Sequence, residues 1–161
     1  MKKFFYFSII ALCFTACGGD IIEETPIFML KYYNADGQLV DLNNGQSINI
    51  TKFDVEGGQP TKLLFKGVIL SEEGFTLEVK ATRYQYEGAS DDFCIGQCIP
   101  GNSEAMQVFS DFSINEDEVA FSSHFGAEKS GNYKIDYEFY EKEKPNVKIK
   151  VMVTYEYYPE N

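Results

Sequence analysis

The amino-acid sequence predicts an all-β domain, arranged as an antiparallel β-sandwich. Apolar and polar residues alternate with a period of two from residue 27 onward, as they do in strands that bury one face. Clusters of glycine, asparagine and proline separate these segments at short intervals. No window shows the 3.6-residue period of an amphipathic helix. Many short strands joined by such turns are typical of a sandwich.

The N-terminus precedes this domain and carries an export signal. Met1 is followed by two lysines, an apolar run from Phe4 to Phe14, and small residues before Cys17. The run is too short for a permanent transmembrane helix, which needs about 20 residues. Phe14-Thr15-Ala16-Cys17 resembles a bacterial lipobox, which implies that residues 1–16 are removed and that Cys17 carries lipid. The alternative is a plain signal peptide cut near Ala16, which leaves Cys17 as a free thiol.

Residues 17–26 are predicted to be the lipidated cysteine and an acidic tether, because two glycines lead into scattered acids and a proline. More than one acyl chain gives stable membrane anchoring. We therefore expect an outer-membrane protein that faces the periplasm or the cell surface. Residues 27–161 form the single predicted domain.

The predicted strands follow in order along this domain. The turn signal Asn34-Ala35-Asp36-Gly37 joins the first two strands. The last strand alternates most clearly, and its lysines are typical of a guarded sheet edge. Residues 87–104 are predicted to be irregular. The predicted strand bounds are 27–33, 38–42, 47–51, 62–70, 74–86, 106–114, 119–125, 133–141 and 147–157.

One segment favours an immunoglobulin-like sandwich. Ser130-Gly131-Asn132-Tyr133 resembles the tyrosine corner that opens strand F of such domains. In that arrangement the Tyr133 hydroxyl caps backbone groups, and Ile135 points into the core. The alternative is that Tyr133 is an ordinary core aromatic.

Two cysteines, Cys94 and Cys98, remain in the predicted domain. Export places them in an oxidising compartment, where a disulfide is the default, and Gly96 lets the chain turn between them. A metal site would need two further ligands, such as His124 and one of the carboxylates at positions 91 and 92. A redox site is a third interpretation, although Cys-x-x-x-Cys in a β context differs from the usual Cys-x-x-Cys.

A family resemblance appears at these residues. Phe93-Cys94-x-Gly96-x-Cys98, Tyr137-Glu138-Phe139-Tyr140 and Val151-Met152-Val153 together resemble an immunoglobulin-like domain of exported Bacteroidota proteins. The resemblance covers about residues 46–157. It implies a β-sandwich, an exported setting and a Cys94–Cys98 disulfide. It implies no reaction.

Charge and histidine content exclude several classes of function. The 161 residues include 14 Lys and Arg against 25 Asp and Glu, a net charge of −11, which argues against nucleic acid as a partner. His124, the only histidine, is predicted to be solvated on a strand face. Ser122 would point parallel to it, so neither catalytic residues nor an enzyme are predicted. No cofactor is expected, and calcium is the weak alternative. Two acidic clusters leave it open, Asp91-Asp92 and Asn115-Glu116-Asp117-Glu118.

We therefore expect a lipid-anchored binding, adhesion or accessory module with a protein or glycan ligand. Loops at the ends of sandwiches carry contacts, so the segment 87–104 is the predicted contact surface. The alternatives are a structural subunit of an envelope complex and, against the histidine count, a small hydrolase. The predicted contact residues are Asp91, Asp92, Phe93, Ile95 and Gln97.

Overall fold

The computed structural model describes residues 24–54 and 59–159. The predicted signal peptide, Cys17 and most of the tether lie outside the described residues. No helix in the described part of the chain has the length and apolar character needed to cross a membrane. Its secondary structure consists of twelve strands: β1 Phe28–Tyr33, β2 Leu39–Leu42, β3 Gln46–Ile50, β4 Phe53–Asp54, β5 Gln59–Ser71, β6 Phe75–Tyr84, β7 Ala89–Ile95, β8 Gln97–Pro100, β9 Met106–Ile114, β10 Glu118–Ala127, β11 Gly131–Glu141 and β12 Lys148–Tyr157.

The strands form two sheets that pack face to face, which confirms the predicted sandwich. Sheet A has the order β2-β1-β5-β10-β7-β8, and β4 also pairs with β5. Sheet B has the order β3-β12-β11-β6-β9. Every pairing is antiparallel except that of β3 with β12, which is parallel. The lysine-bearing β12 therefore lies inside sheet B rather than at its edge, because β3 covers it.

Aromatic side chains form the centre of the core between the sheets. The ring of Phe93 lies 5.6–5.9 Å from five other rings, drawn from both sheets. Ring pairs at such distances contribute about 0.5–1.5 kcal/mol each beyond the area they bury. These neighbours are Phe109, Phe112, Phe121, Tyr137 and Phe139.

A buried triangle of hydroxyl groups crosses this core. Ser123 Oγ on sheet A lies 2.9 Å from the Tyr137 hydroxyl and 3.4 Å from the Tyr155 hydroxyl, and the two tyrosine oxygens are 3.1 Å apart. Burial is the first cause that raises the pKa of Tyr137 and of Tyr155 well above the ordinary tyrosine value. The triangle satisfies three polar groups that would otherwise lack partners in an apolar interior.

The tyrosine corner is present. The Tyr133 hydroxyl donates a 2.9 Å hydrogen bond to the carbonyl of Lys129, four residues upstream, and Ile135 is fully buried. Both features agree with the immunoglobulin-like prediction.

The segment 87–104 differs from its prediction. It forms the hairpin β7–β8 rather than an irregular loop, with Cys94 opposite Cys98 and Ile95 opposite Gln97. Gly96 takes a φ of 70° at the turn, a backbone conformation that glycine adopts without steric cost. The predicted contact loop is therefore largely an edge of sheet A.

Candidate functional site

A cleft opens where the edge of sheet A is interrupted. β1 and β4 both pair with β5, but β1 covers residues 67–71 and β4 reaches only to Leu63. Residues 64–66 of β5 face the gap between them, where the Leu64 amide donates to the Lys52 carbonyl at 3.2 Å. The cleft follows from this gap.

The cleft has a volume of about 570 Å³ and a mixed lining. Aromatic rings lie beside lysines, carboxylates and side-chain amides, and the Lys66 ammonium sits 5.3 Å from the ring centre of Tyr33. Concave sites with a few convergent polar groups are typical of ligand binding. The lining residues are Tyr32, Tyr33, Asn34, Ala35, Asp36, Gly37, Asn49, Ile50, Thr51, Lys52, Phe53, Asp54, Leu64 and Lys66.

One wall of the cleft continues into a cluster of ionisable groups on the outer face of sheet A. The register that pairs Ser122 with Cys94 places His124 opposite Asp92. Asp92 Oδ1 lies 2.8 Å from His124 Nδ1 and accepts the His124 backbone N–H at 3.1 Å. Lys62 Nζ lies 3.4 Å from the other oxygen of Asp92.

A second carboxylate lies on the opposite side of the imidazole. Asp54 Oδ2 is 3.5 Å from His124 Nε2, and the Asp54 side chain is only 4% exposed. Asp54 also lines the cleft, so the cleft and the cluster share this residue. His124 lies on a strand face as predicted, but its side chain is held between two carboxylates and is 20% exposed rather than fully solvated.

The disulfide completes the cluster. Cys94 and Cys98 are joined with an S–S distance of 2.06 Å, as the resemblance implied. The Cys94 sulfur lies 3.4 Å from Asp92 Oδ1 and 4.0 Å from His124 Nδ1. Three groups of metal-ligand type thus meet at one point, namely Asp92, Cys94 and His124.

This geometry is unsuited to hydrolysis by a serine nucleophile. A general base must accept the proton of its nucleophile through one ring nitrogen. Both ring nitrogens of His124 face carboxylates instead, so the imidazole does not point at Ser122. The arrangement is better suited to holding a charge or an ion.

The predicted contact residues divide into buried and accessible ones. Phe93 is at the centre of the core and Asp91 is buried, so the prediction that they contact a ligand is wrong. Asp92 belongs to the cluster with His124. Ile95 is partly buried, and Gln97 is exposed on the edge strand β8.

Asp91 instead forms an ion pair that joins the two sheets. Arg83 on β6 donates from Nε and Nη2 to its two carboxylate oxygens, each at 3.0 Å, and both side chains are fully buried. The Tyr86 hydroxyl adds a 2.7 Å bond to Asp91, and Arg83 also reaches Gln107. Burial, followed by the bond to Asp91, raises the pKa of Tyr86 well above its ordinary value. Both oxygens of Asp91 are occupied by these bonds, which leaves them unavailable to the weak calcium alternative at Asp91-Asp92.

Sequence reasoning missed Asp54 and Lys62 as site residues. Asp54 lies in a two-residue strand, too short to leave an alternating pattern, and Lys62 opens a predicted strand like any edge lysine. Only the pairing of β4, β5, β10 and β7 brings them beside His124.

No protein-family model and no curated protein sequence match the chain. Among solved structures, the N-terminal domain of PorA is similar, with a TM-score of 0.55 and 16% identity over 82% of this chain and 99% of that one. The fold is an immunoglobulin-like β-sandwich. A PapD-like domain of human CEP192 aligns over 97% of this chain and 99% of its own, with a TM-score of 0.40 and 10% identity. At 16% identity the likeness to the PorA domain concerns the fold alone, so the function must be argued from the site.

Proposed function

We propose that the chain is a lipid-anchored binding module of the cell envelope, without catalytic activity, whose cleft binds a glycan. The observation that supports this is the cleft at the interrupted edge of sheet A. It offers rings, carboxylates and amides within about 570 Å³, enough for a short oligosaccharide.

The lining favours a glycan over a purely apolar ligand. Aromatic faces supply apolar contact to the C–H faces of sugar rings, and carboxylates and amides accept and donate to hydroxyls. Tyr33, 38% exposed, and Phe53 provide the rings, while Asn34 and Asp36 lie at the turn that forms one rim.

Binding to a glycan array, followed by calorimetry on the strongest glycan, tests the proposal. We expect Tyr33→Ala to weaken binding at least tenfold, because the ring contacts the ligand. Tyr158→Ala is the matched control, since Tyr158 is 56% exposed and lies outside the cleft. An equal loss in both variants, or no glycan binding by the unaltered chain, would contradict the proposal.

The lipid anchor is a separate part of the proposal. Cys17, which follows Phe14-Thr15-Ala16, supports it. In cells fed labelled palmitate, we expect the label in the outer-membrane fraction of the unaltered chain and no label in Cys17→Ala. Label that persists in Cys17→Ala would contradict lipidation at this residue.

A second candidate function is that of a subunit of an envelope complex. One observation favours it: Met106 and Val108 are exposed on β9, the edge strand of sheet B, at 54% and 44%. Crosslinking in native envelopes would then yield one stoichiometric partner, which Val108→Lys would remove while glycan binding stayed unchanged. A chain that remains uncrosslinked would exclude this candidate.

A further inference from the structure

Three atoms of different ligand types converge at the disulfide, and one of them is a disulfide sulfur. A carboxylate oxygen of Asp92, a ring nitrogen of His124 and the sulfur of Cys94 all lie within 4.8 Å of one another. The sulfur of Cys98 is bonded to that of Cys94, so it lies next to this group of ligand atoms. Two thiolates, one imidazole and one carboxylate are a donor set that zinc accepts.

The distances match a tetrahedral zinc site once the sulfurs separate. Zinc bond lengths of about 2.0–2.3 Å place tetrahedral ligand atoms roughly 3.3–3.8 Å apart. Here the Cys94 sulfur is 3.4 Å from Asp92 Oδ1 and 4.0 Å from His124 Nδ1, and that oxygen and nitrogen are 2.8 Å apart. Each of these three separations needs to change by about half an ångström or less, and the two sulfurs move apart to about 3.8 Å after their bond is reduced.

We propose that reduction of the Cys94–Cys98 disulfide creates a zinc site whose ligands are Cys94, Cys98, His124 and Asp92. An external dithiol supplies the two electrons: its thiolate attacks the Cys98 sulfur, the Cys94 thiolate leaves, and the second thiol of the dithiol releases Cys98. The dithiol becomes a disulfide, both cysteines bind Zn²⁺ as thiolates, and two protons go to solvent. This proposal does not depend on glycan binding.

Access favours attack at Cys98. Its side chain is exposed on the edge strand β8, whereas Cys94 is 8% exposed beneath it. The turn residue Gly96 has nothing within 4 Å of the position where a side chain would begin, so no neighbouring group covers the turn between the two cysteines. An exposed disulfide sulfur is the one an external thiolate reaches.

The surroundings supply the outer shell of a zinc site. Histidines that bind metal through one nitrogen usually donate the other N–H to a carboxylate, which orients the ring. With Nδ1 on zinc, Nε2 faces Asp54 Oδ2 at 3.5 Å. Lys62, near Asp92, offsets the one negative charge left when two thiolates and a carboxylate bind a divalent ion.

The test uses the full chain carrying Cys13→Ser and Cys17→Ser, so that only the hairpin cysteines remain. The protein is reduced with dithiothreitol, freed of reductant without oxygen, and titrated with Co²⁺ and then Zn²⁺. We expect one equivalent of Co²⁺ with a thiolate-to-cobalt charge-transfer band, displaced by one equivalent of Zn²⁺. The oxidised protein should show no such band.

Variants separate this site from a simple pair of thiols. Asp54→Asn should weaken zinc binding 10- to 100-fold while the cobalt band keeps its shape, the loss typical of an outer-shell partner. His124→Gln should weaken it at least as much and change the band. Asp41→Asn, an exposed carboxylate of sheet A, is the matched control and should have no effect.

Three results would overturn the proposal. They are no metal binding by the reduced chain, equal binding by the oxidised chain, and unchanged affinity in both His124→Gln and Asp54→Asn. Near-ultraviolet circular dichroism monitors the fold throughout. If reduction alone weakens the tertiary signal, zinc should restore it, and a signal that zinc fails to restore would also count against the site.

Discussion

The buried ion pair between Arg83 and Asp91 gives the sharpest test of the fold. Asp91→Asn keeps the shape of the side chain but removes its charge. The amide then places an N–H group opposite one of the two guanidinium donors that lie at 3.0 Å. Both side chains are fully buried, so water cannot replace the lost partner. Breaking a buried pair by altering one partner typically costs 3–5 kcal/mol.

We expect a cost of about 3 kcal/mol, near the lower limit, because Arg83 keeps its contacts with Gln107 and with the Glu104 carbonyl. At about 2–4 °C per kcal/mol for a domain of this size, the melting temperature should fall by roughly 6–12 °C. Urea unfolding followed by circular dichroism, with the disulfide intact, measures the free energy directly.

Two further variants decide whether the charge is the cause. Arg83→Met combined with Asp91→Leu should cost less than Asp91→Asn alone, because it leaves no unpaired buried charge. Asp41→Asn removes an exposed pair with Lys31 and should change stability by less than about 0.5 kcal/mol. A cost below about 1 kcal/mol for Asp91→Asn, or a larger cost for the double variant, would refute the reasoning.

Three other predictions concern the same sandwich. Gly101→Ala should destabilise the protein by about 1–3 kcal/mol in urea unfolding, because its Cβ would overlap Oδ1 of Asp91; an unchanged midpoint would contradict this. Tyr137→Phe should cost about 1–2 kcal/mol by the same measurement, since the two remaining hydroxyls of the buried triangle are left with one 3.4 Å contact. A hydrogen bond from Lys148 is the main cause that lowers the pKa of Glu138, so this pair contributes stability above the ordinary glutamate pKa and loses it as the pH falls through the lowered one. Unfolding from pH 7 downward should therefore show that Glu138→Gln is less stable at neutral pH and that the difference disappears in acid; a difference that grows in acid would reverse the sign.

Alternation predicted most strands because their inward positions are apolar. In β12, Val151, Val153 and Tyr155 are buried as expected, and β9 has the predicted bounds. The same rule failed at β7. There the inward positions include Asp91, a charge that the rule assigns to solvent. Its partner Arg83 occupies an inward position of β6. The two buried charges therefore neutralise each other across the sandwich.

The site could not be predicted from local pattern, because strand pairing creates it. Asp92 and His124 are 32 residues apart and become neighbours only through the register of β7 and β10. The prediction that β12 lies at a sheet edge was wrong for a similar reason. Its parallel pairing with β3 leaves no local pattern in the sequence. From the residues alone, His124 with Asp91 or Asp92 was an alternative ligand set for a Cys94–Cys98 metal site, and the disulfide was the default.

Asp54 connects the two proposed activities. Its carboxylate lines the cleft and faces Nε2 of His124 at 3.5 Å, on a strand of only two residues. We expect zinc on Nδ1 to fix the imidazole ring and the ring to hold Asp54 in place, so that the Asp54 side chain loses less freedom when a glycan binds. Zinc should therefore raise the affinity for the glycan, and the glycan should raise the affinity for zinc. Thermodynamic linkage makes the two factors equal. Calorimetric titration of the glycan into reduced protein with and without zinc measures that factor. A factor of one in the unaltered chain would show that the cleft and the zinc site act independently.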